Sequence, residues 1–274
     1  MKKEELYERR LAECAETICK DEKLKLVLIA GGSCAGKTTT TKKLARLIEK
    51  GGRHVDTISL DDYYRNPENA VYLPNGKLDI EGINSLRLDL LQETMYLLSV
   101  GAPAPIPFYD FTTKRRTDCY RTLTPVPGGV TIVEGLHALN PAICAKGTAE
   151  EALFRIYLYA ESEDHLDSRF LRRLVRDSRY RAADATTTFD QWDTVRSSEK
   201  ETIEPFVHLA NAKINTFFDY ERSILADDAM ELLRLLPANH PNTLQAKELI
   251  EVLKNIPLLP DSAVPEDSLL REFI

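Results

Sequence analysis

The 274-residue sequence predicts an α/β fold: a parallel sheet flanked by helices and built around a phosphate-binding loop. Three observations carry this. The apolar run Leu26-Val27-Leu28-Ile29 reads as a strand buried on both faces of a parallel sheet. It breaks at Gly31-Gly32 into the pattern G-x-x-x-x-G-K-[ST], completed by Gly36, Lys37 and Thr38, and a helical pattern resumes at Leu44, Ala45, Leu47 and Ile48. Two more apolar runs, 54–60 and 130–133, each close on acids, Asp61-Asp62 and Glu134.

Residues 2–20 come first and read as a charged amphipathic helix. Its stripe Tyr7, Leu11, Cys14 and Ile18 is expected to pack on the sheet edge or on a partner. In the loop that follows the first strand, Gly31, Gly32, Ser33, Cys34, Ala35 and Gly36 can curl backbone N–H groups around a phosphate. The helix N-terminus behind them, through Thr39, favours negative charge. Lys37 would reach the β- and γ-phosphates and the Thr38 hydroxyl would ligate Mg²⁺. A nucleoside triphosphate is the expected ligand.

Gly51-Gly52 ends the first sheet-covering helix. The second strand, 54–60, delivers Asp61 and Asp62 to the C-terminal edge of the sheet, where open α/β proteins bind ligands. An acid there, close to a γ-phosphate, can orient or deprotonate an attacking hydroxyl, and Asp61 leaves the strand first. Residues 65–82 are polar and turn-rich (Asn66-Pro67, Pro74-Asn75-Gly76), and a helix is expected over 85–99. Five prolines between 101 and 129 predict a small β-rich excursion whose centre, Ile106–Phe111, joins aromatics to Asp110 and leads to Lys114-Arg115-Arg116.

The third strand, 130–134, ends on Glu134, the usual position for a Mg²⁺-holding carboxylate downstream of a phosphate loop. A fourth strand is expected over 153–160. Six arginines then fall in the thirteen residues 169–181 of an otherwise acidic protein, with Arg169, Arg172, Arg173 and Arg176 on one helical face. They predict a lid over the phosphates, about 167–190, with 182–188 as its hinge or far end. The remainder reads as a helix over 189–201, a strand over 212–217, and C-terminal helices reaching Ile274.

Composition narrows the function classes. A net charge of −7 argues against a duplex nucleic-acid partner. Five cysteines without C-x-x-C spacing indicate neither a zinc site nor a disulfide framework. No apolar run approaches a membrane span and the first residues are not a signal peptide, so a cytoplasmic location is expected.

With these residues in hand, the chain resembles the uridine kinase branch of the P-loop kinases, a group that includes phosphoribulokinase-like enzymes. The ordered set GGSCAGKT, SLDDYY, PFYDF, IVEGLHAL and RRLVRD carries the resemblance over about 24–220. It implies a P-loop NTPase fold with an acceptor lobe at 101–129, an N-terminal helix over 1–23 and a helical extension over 221–274 packed on the kinase domain. It implies ATP and Mg²⁺ as cofactors and a small-molecule hydroxyl as acceptor, and leaves homo-oligomerisation open. By the same resemblance, Asp61 is the general base and a metal partner, and Thr38 and Glu134 organise the metal. Lys37, Arg173, Arg176 and Arg181 hold phosphates. Tyr109 packs on a nucleobase, while Asp62, Tyr64 and Gln191 lie on the acceptor side.

The acceptor side departs from the pattern. By spacing, the ribose-binding Asp falls on Arg87 and a pyrimidine-reading His on Lys114. The usual Arg-Gly-Arg of the lid becomes Arg181-Ala182-Ala183. A nucleoside 5′-hydroxyl is the acceptor that the resemblance implies. The cations at Arg87 and Lys114 point to the alternative of an anionic alcohol or sugar. A non-catalytic ATP-binding protein is the third reading.

Overall fold

The computed structural model describes residues 2–72, 76, 79, 81–162 and 167–274; Pro74-Asn75, read as a turn, lies outside them. Five strands form one parallel sheet: β1 (Leu26–Gly31), β2 (Val55–Ser59), β5 (Val130–Glu134), β6 (Leu153–Tyr159) and β7 (Ala212–Asn215), in the order β2-β5-β1-β6-β7. All four pairings are parallel. A separate antiparallel hairpin, β3 (Ala104–Asp110) and β4 (Arg115–Leu123), is the β-rich excursion expected from its prolines.

Every residue of β1 is buried, because the sheet is covered on both faces. The two-residue period of the strand then sorts its side chains. Val27 and Ile29 face one apolar cluster with α1 (Lys2–Lys20) and α2 (Lys37–Lys50). Leu26 and Leu28 face another with α3 (Leu88–Ser99). On α1 the expected stripe Tyr7, Leu11, Cys14 and Ile18 is buried, and the Tyr7 hydroxyl lies 2.9 Å from Thr40 Oγ1 of α2. Arg53, after α2, donates to the carbonyls of Ile18, Asp21, Leu24, Gly128 and Gly129, fastening the loops at the far end of the sheet.

A third cluster joins α4 (Ser168–Arg181), α5 (Ala185–Thr202), α6 (Glu221–Arg234) and α7 (Thr243–Leu253). Several boundaries differ from expectation, each for a local reason. Helix α5 starts at Ala185 rather than 189, because Asp184 accepts from the Thr187 N–H and caps it. The stretch between α4 and α5, expected as a hinge over 182–188, is therefore three residues, with Ala182 in the left-handed region at φ 51°. Helix α3 starts at Leu88 after a 3₁₀ turn at Ile83–Ser85. Beyond α7 the chain runs to Ile274 through 3₁₀ turns, Asp261–Ala263 and Leu269–Glu272, not a terminal α-helix. Among the described residues no helix is long and apolar enough to cross a membrane.

The arginine helix is not the solvated face its charge pattern allows. Arg172 is 0 % exposed and pairs with Glu221 of α6, also 0 % exposed, at 2.5 Å. Its guanidinium also donates to the carbonyls of Cys34 and Thr216 and lies 5.1 Å from the Phe273 ring. Removing one partner of such a pair leaves a buried charge unmatched. Arg172→Ala should therefore lower unfolding stability by about 3–5 kcal/mol, read by urea denaturation. A loss below about 1 kcal/mol, the level of a surface pair, would contradict this account.

Candidate functional site

The parallel register brings the candidate acids together. Ile29 of β1 pairs with Glu134 of β5, and Ser59 of β2 pairs with Glu134 from the other side. All three strands thus end at one edge, where β1 runs into the phosphate loop. Ser59 Oγ donates to Glu134 Oε1 at 2.9 Å and accepts from the Asp61 N–H at 3.3 Å, tying the two acidic strand ends together.

The loop between Gly31 and Lys37 turns through two left-handed residues, Cys34 at φ 59° and Gly36 at φ 78°. A Cβ on Gly31 would come within 2.8 Å of the Leu158 carbonyl oxygen, so the close approach of β6 demands glycine there. Cys34 and Ala35 are buried beneath the loop. Burial pushes the Cys34 thiol pKa up, despite nearby Arg176. Lys37 folds back to donate to the carbonyls of Gly31 and Gly32 at 3.0 and 3.2 Å. Thr38 is exposed at the start of α2.

Not every donor of the loop faces open space. The Ser33 N–H donates to Glu199 Oε1 of α5 at 2.8 Å, and Glu199 also binds Arg169 through two hydrogen bonds of 2.8 and 2.9 Å. Gly32 has no room for a Cβ because this pair occupies the space. At the other end of the loop, Thr39 N–H and Oγ1 both donate to Glu272 Oε2, at 3.3 and 2.7 Å.

The lid arginines have defined partners. Arg173 donates to Ser33 Oγ at 3.0 Å and to Gln191 Oε1 at 2.7 Å, so Gln191 positions Arg173 over the loop. Arg173, Arg176 and Arg181 all approach the buried carboxylate of Asp177, at 3.3, 2.7 and 3.6 Å. Arg169 and Arg172, on the same helix, are buried and have their guanidinium groups taken by Glu199 and Glu221.

The acceptor side centres on aromatics. Tyr64, Tyr109 and Phe111 form a mutual cluster, with ring centroids 5.0–6.2 Å apart. Asp62 holds it to β2 by accepting from the Tyr109 N–H at 3.2 Å. Arg87 and Lys114 do not join this cluster. The Arg87 guanidinium is bound to Asp89 at 2.7 and 2.5 Å, and Lys114 sits exposed at the hairpin turn with φ 55°.

Residues not singled out from the sequence stand nearer. Glu81 is lifted above the ordinary glutamate pKa by burial, against the pull of Arg173 and Lys37, with Glu199 and Asp61 adding to the lift. Glu81 is thus within electrostatic reach of Lys37, Arg173 and Asp61. His137 is buried, its pKa depressed to about 4 mainly by burial, and its Nδ1 has no hydrogen-bond partner among the described residues. It is a neutral imidazole at pH 7. The only sequence signal was the Asp79-x-Glu81-Gly82 spacing, which in a turn-rich stretch looks like solvated polarity.

Thr38, Asp62 and Glu134 also border a cavity of about 310 Å³ between α2 and the hairpin, with Lys42, Phe108 and Arg121 on its other walls. Burial raises the Glu134 carboxyl above its ordinary value, and the neighbouring Asp61 charge raises it further, while Lys37 opposes both. Two crowded carboxylates beside a threonine hydroxyl fit a small, hard divalent cation. Among the described residues no group of three or more acidic, histidine or cysteine side chains could hold a metal ion by itself. A cation at Thr38 and Glu134 would complete its shell with phosphate oxygens and water.

The comparisons agree with this geometry. The profile of the "Phosphoribulokinase / Uridine kinase family" matches residues 26–220. A uridine kinase of Deinococcus deserti is 31% identical over 189 residues, covering 68% of this chain and 84% of the relative. Among solved structures, a possible uridine kinase from Bacillus stearothermophilus is similar at a TM-score of 0.51 and 18% identity, covering 76% of this chain and 98% of that one. A D-glycerate 3-kinase from Cryptococcus neoformans is similar at a TM-score of 0.50 and 12% identity, covering 71% and 87%.

The Asp61 carboxyl opens into the cleft yet is crowded by protein, and this desolvation raises its pKa against the pull of Lys37 and Arg181. A base must be deprotonated to act, so a raised pKa moves the loss of activity to higher pH. With Asp61 as the base, the role proposed for it below, the acid limb of kcat/KM should fall above the ordinary aspartate value of about 4. A limb at or below that value would exclude Asp61 as the titrating base.

Proposed function

The chain belongs to the phosphoribulokinase / uridine kinase family, an ATP-dependent phosphotransferase group, and from that premise we propose that it phosphorylates the 5′-hydroxyl of a nucleoside. The observation that carries the acceptor is the aromatic cluster of Tyr64, Tyr109 and Phe111, fastened through Asp62 to the strand end that bears Asp61. Aromatic faces suit a planar base, and acids beside them, Asp62 and Glu81, suit hydroxyl-rich sugar. Arg87, which by spacing replaces a ribose-binding acid, is paired with Asp89 and so is not a free cation calling for an anionic acceptor.

In this reading Asp61 accepts a hydrogen bond from the acceptor hydroxyl, orients it towards the γ-phosphate and takes its proton as the bond forms. Lys37 leaves the loop carbonyls for the β- and γ-oxygens. Arg173, steadied by Gln191, and Arg176 and Arg181, steadied by Asp177, neutralise the charge that builds on the transferring group. Thr38 and Glu134 would hold Mg²⁺, which would supply positive charge to offset that of the phosphates. The role of the protein is positioning and electrostatics, with water excluded by α4 and α5.

A second reading keeps the catalytic half and changes the acceptor. Lys42 and Arg121 border the cavity next to Thr38 and Glu134, and cations there would suit an anionic alcohol. The D-glycerate 3-kinase acts, by its name, on a hydroxy acid within a similar fold, so fold alone does not choose.

Acceptor-dependent ADP release across uridine, cytidine, sugars, sugar phosphates and hydroxy acids separates these readings. Release with a nucleoside is expected. Release only with an anionic alcohol would replace the acceptor by the second reading, and none with any acceptor would leave a non-catalytic binder. With the active acceptor, Asp61→Asn should retain ATP binding by calorimetry and lose about 10²–10⁴-fold in kcat. A variant near wild-type rate would remove Asp61 from the base role.

A further inference from the structure

The phosphate loop is met by a segment from the opposite end of the chain. Residues Ser268–Ile274 lie across the start of α2, with Leu269, Leu270 and Phe273 each 0 % exposed. Leu269 fills the space where any Cβ on Gly36 would go. Four attachments hold this strap. Phe273 lies under the Arg172 guanidinium, and Ser268 Oγ bonds Glu4 and Tyr220 at 2.7 and 2.9 Å. The Tyr180 hydroxyl, from the end of α4, donates to the Ile274 carbonyl at 2.6 Å, and Arg271 donates to the Val264 carbonyl.

The strap presents one carboxylate to the loop. Helix α2 begins after Gly36, which has no side chain with which to cap it. Its third residue, Thr39, gives both its N–H and its hydroxyl to Glu272. These donors, at a helix N-terminus behind a glycine loop, are those an oligophosphate chain would use. The Glu272 charge is also felt at Glu134 and at Arg176, so it lies within the electrostatic reach of both the metal side and the lid.

We propose that Glu272 is an internal competitor for the nucleotide: its carboxylate takes the Thr39 donors in the free protein and must swing away when a phosphate arrives. The inference rests on the loop being the nucleotide site. Because Leu269, Leu270 and Phe273 are locked in the core, the strap itself stays in place and only the half-buried Glu272 side chain moves. The competitor is therefore always at high effective concentration. It weakens ATP and ADP alike, and its return to Thr39 helps expel ADP after transfer, product release being the step that limits turnover in many enzymes.

Calorimetric titration with ADP tests this, because the sign separates a competitor from a simple staple. Glu272→Ala should tighten ADP binding about tenfold, the scale of one charge-assisted hydrogen bond lost by the free state. Glu272→Gln, which keeps the shape and drops the charge, should move in the same direction and guards against a folding defect in the alanine variant. In a Thr39→Val background the gain from Glu272→Ala should shrink below about threefold, since half of the contested donors are gone. An unchanged or weaker ADP affinity in both Glu272 variants would overturn the proposal and make Glu272 a structural cap. If wild type and both variants bind neither ADP nor ATP, the nucleotide reading of the loop fails, and the proposal falls with it. Binding that is lost only in Lys37→Ala confirms the loop as the site being contested.

Discussion

A phosphate loop is a stretch of polar backbone that must keep its donors turned outward, and this requires something to hold it from behind. Here that support is a row of buried ion pairs. Arg172 of α4 binds the Cys34 carbonyl while pairing with Glu221 of α6. Arg169 reaches the Ser33 carbonyl while pairing with Glu199 of α5, and Glu199 takes the Ser33 N–H. The loop is thus clamped at successive residues by charges that are themselves satisfied. Each pair alone is weak evidence for stability, since desolvation offsets much of the attraction. Their value is geometric, because they fix both carbonyl and N–H directions in a segment that two glycines would otherwise leave loose.

That arrangement divides one arginine-rich helix into two jobs. The residues facing the loop's back, Arg169 and Arg172, are spent on structure. Arg173, Arg176 and Arg181 surround Asp177, and a single carboxylate cannot neutralise three guanidinium groups. A net positive field remains above the loop. Burial raises the carboxyls of Asp61, Glu81 and Glu134, and Lys37 pulls against the rise at all three. The candidate site therefore brings clustered arginines and Lys37 within electrostatic reach of three acids.

How much of this was legible in the sequence depended on whether the signal was local. The strands at 26–31, 55–59 and 130–134 could be read because each is a short apolar run, and their parallel pairing made the acids at their ends converge without further information. The α1 stripe was equally readable, since burial of Tyr7, Leu11, Cys14 and Ile18 follows from a 3.6-residue period. The arginine helix was only half legible. Periodicity placed Arg169, Arg172, Arg173 and Arg176 on one face, but the partners that bury two of them lie on α5 and α6. Glu272 was invisible for the same reason, being 233 residues from Thr39.

The acceptor side was the least legible, and the reason is register. In a strand, a slip of one residue reverses every side chain, so position in sequence fixes position in space. Residues 65–87 have no such period, and counting along them carries no geometric meaning. Spacing assigned the acid of the ribose side to Arg87, yet Arg87 turns to Asp89, whereas Glu81, six residues earlier in the chain, is the charge that feels Lys37, Arg173 and Asp61. At the position that spacing gives to the acid, Arg87 is paired with Asp89. An acceptor would meet Asp62 and the aromatics, with Glu81 near Asp61 and with Lys42 and Arg121 on the walls of the cavity beside Glu134. Acids beside aromatic faces would suit hydroxyls, and it is on them that the proposed nucleoside acceptor rests.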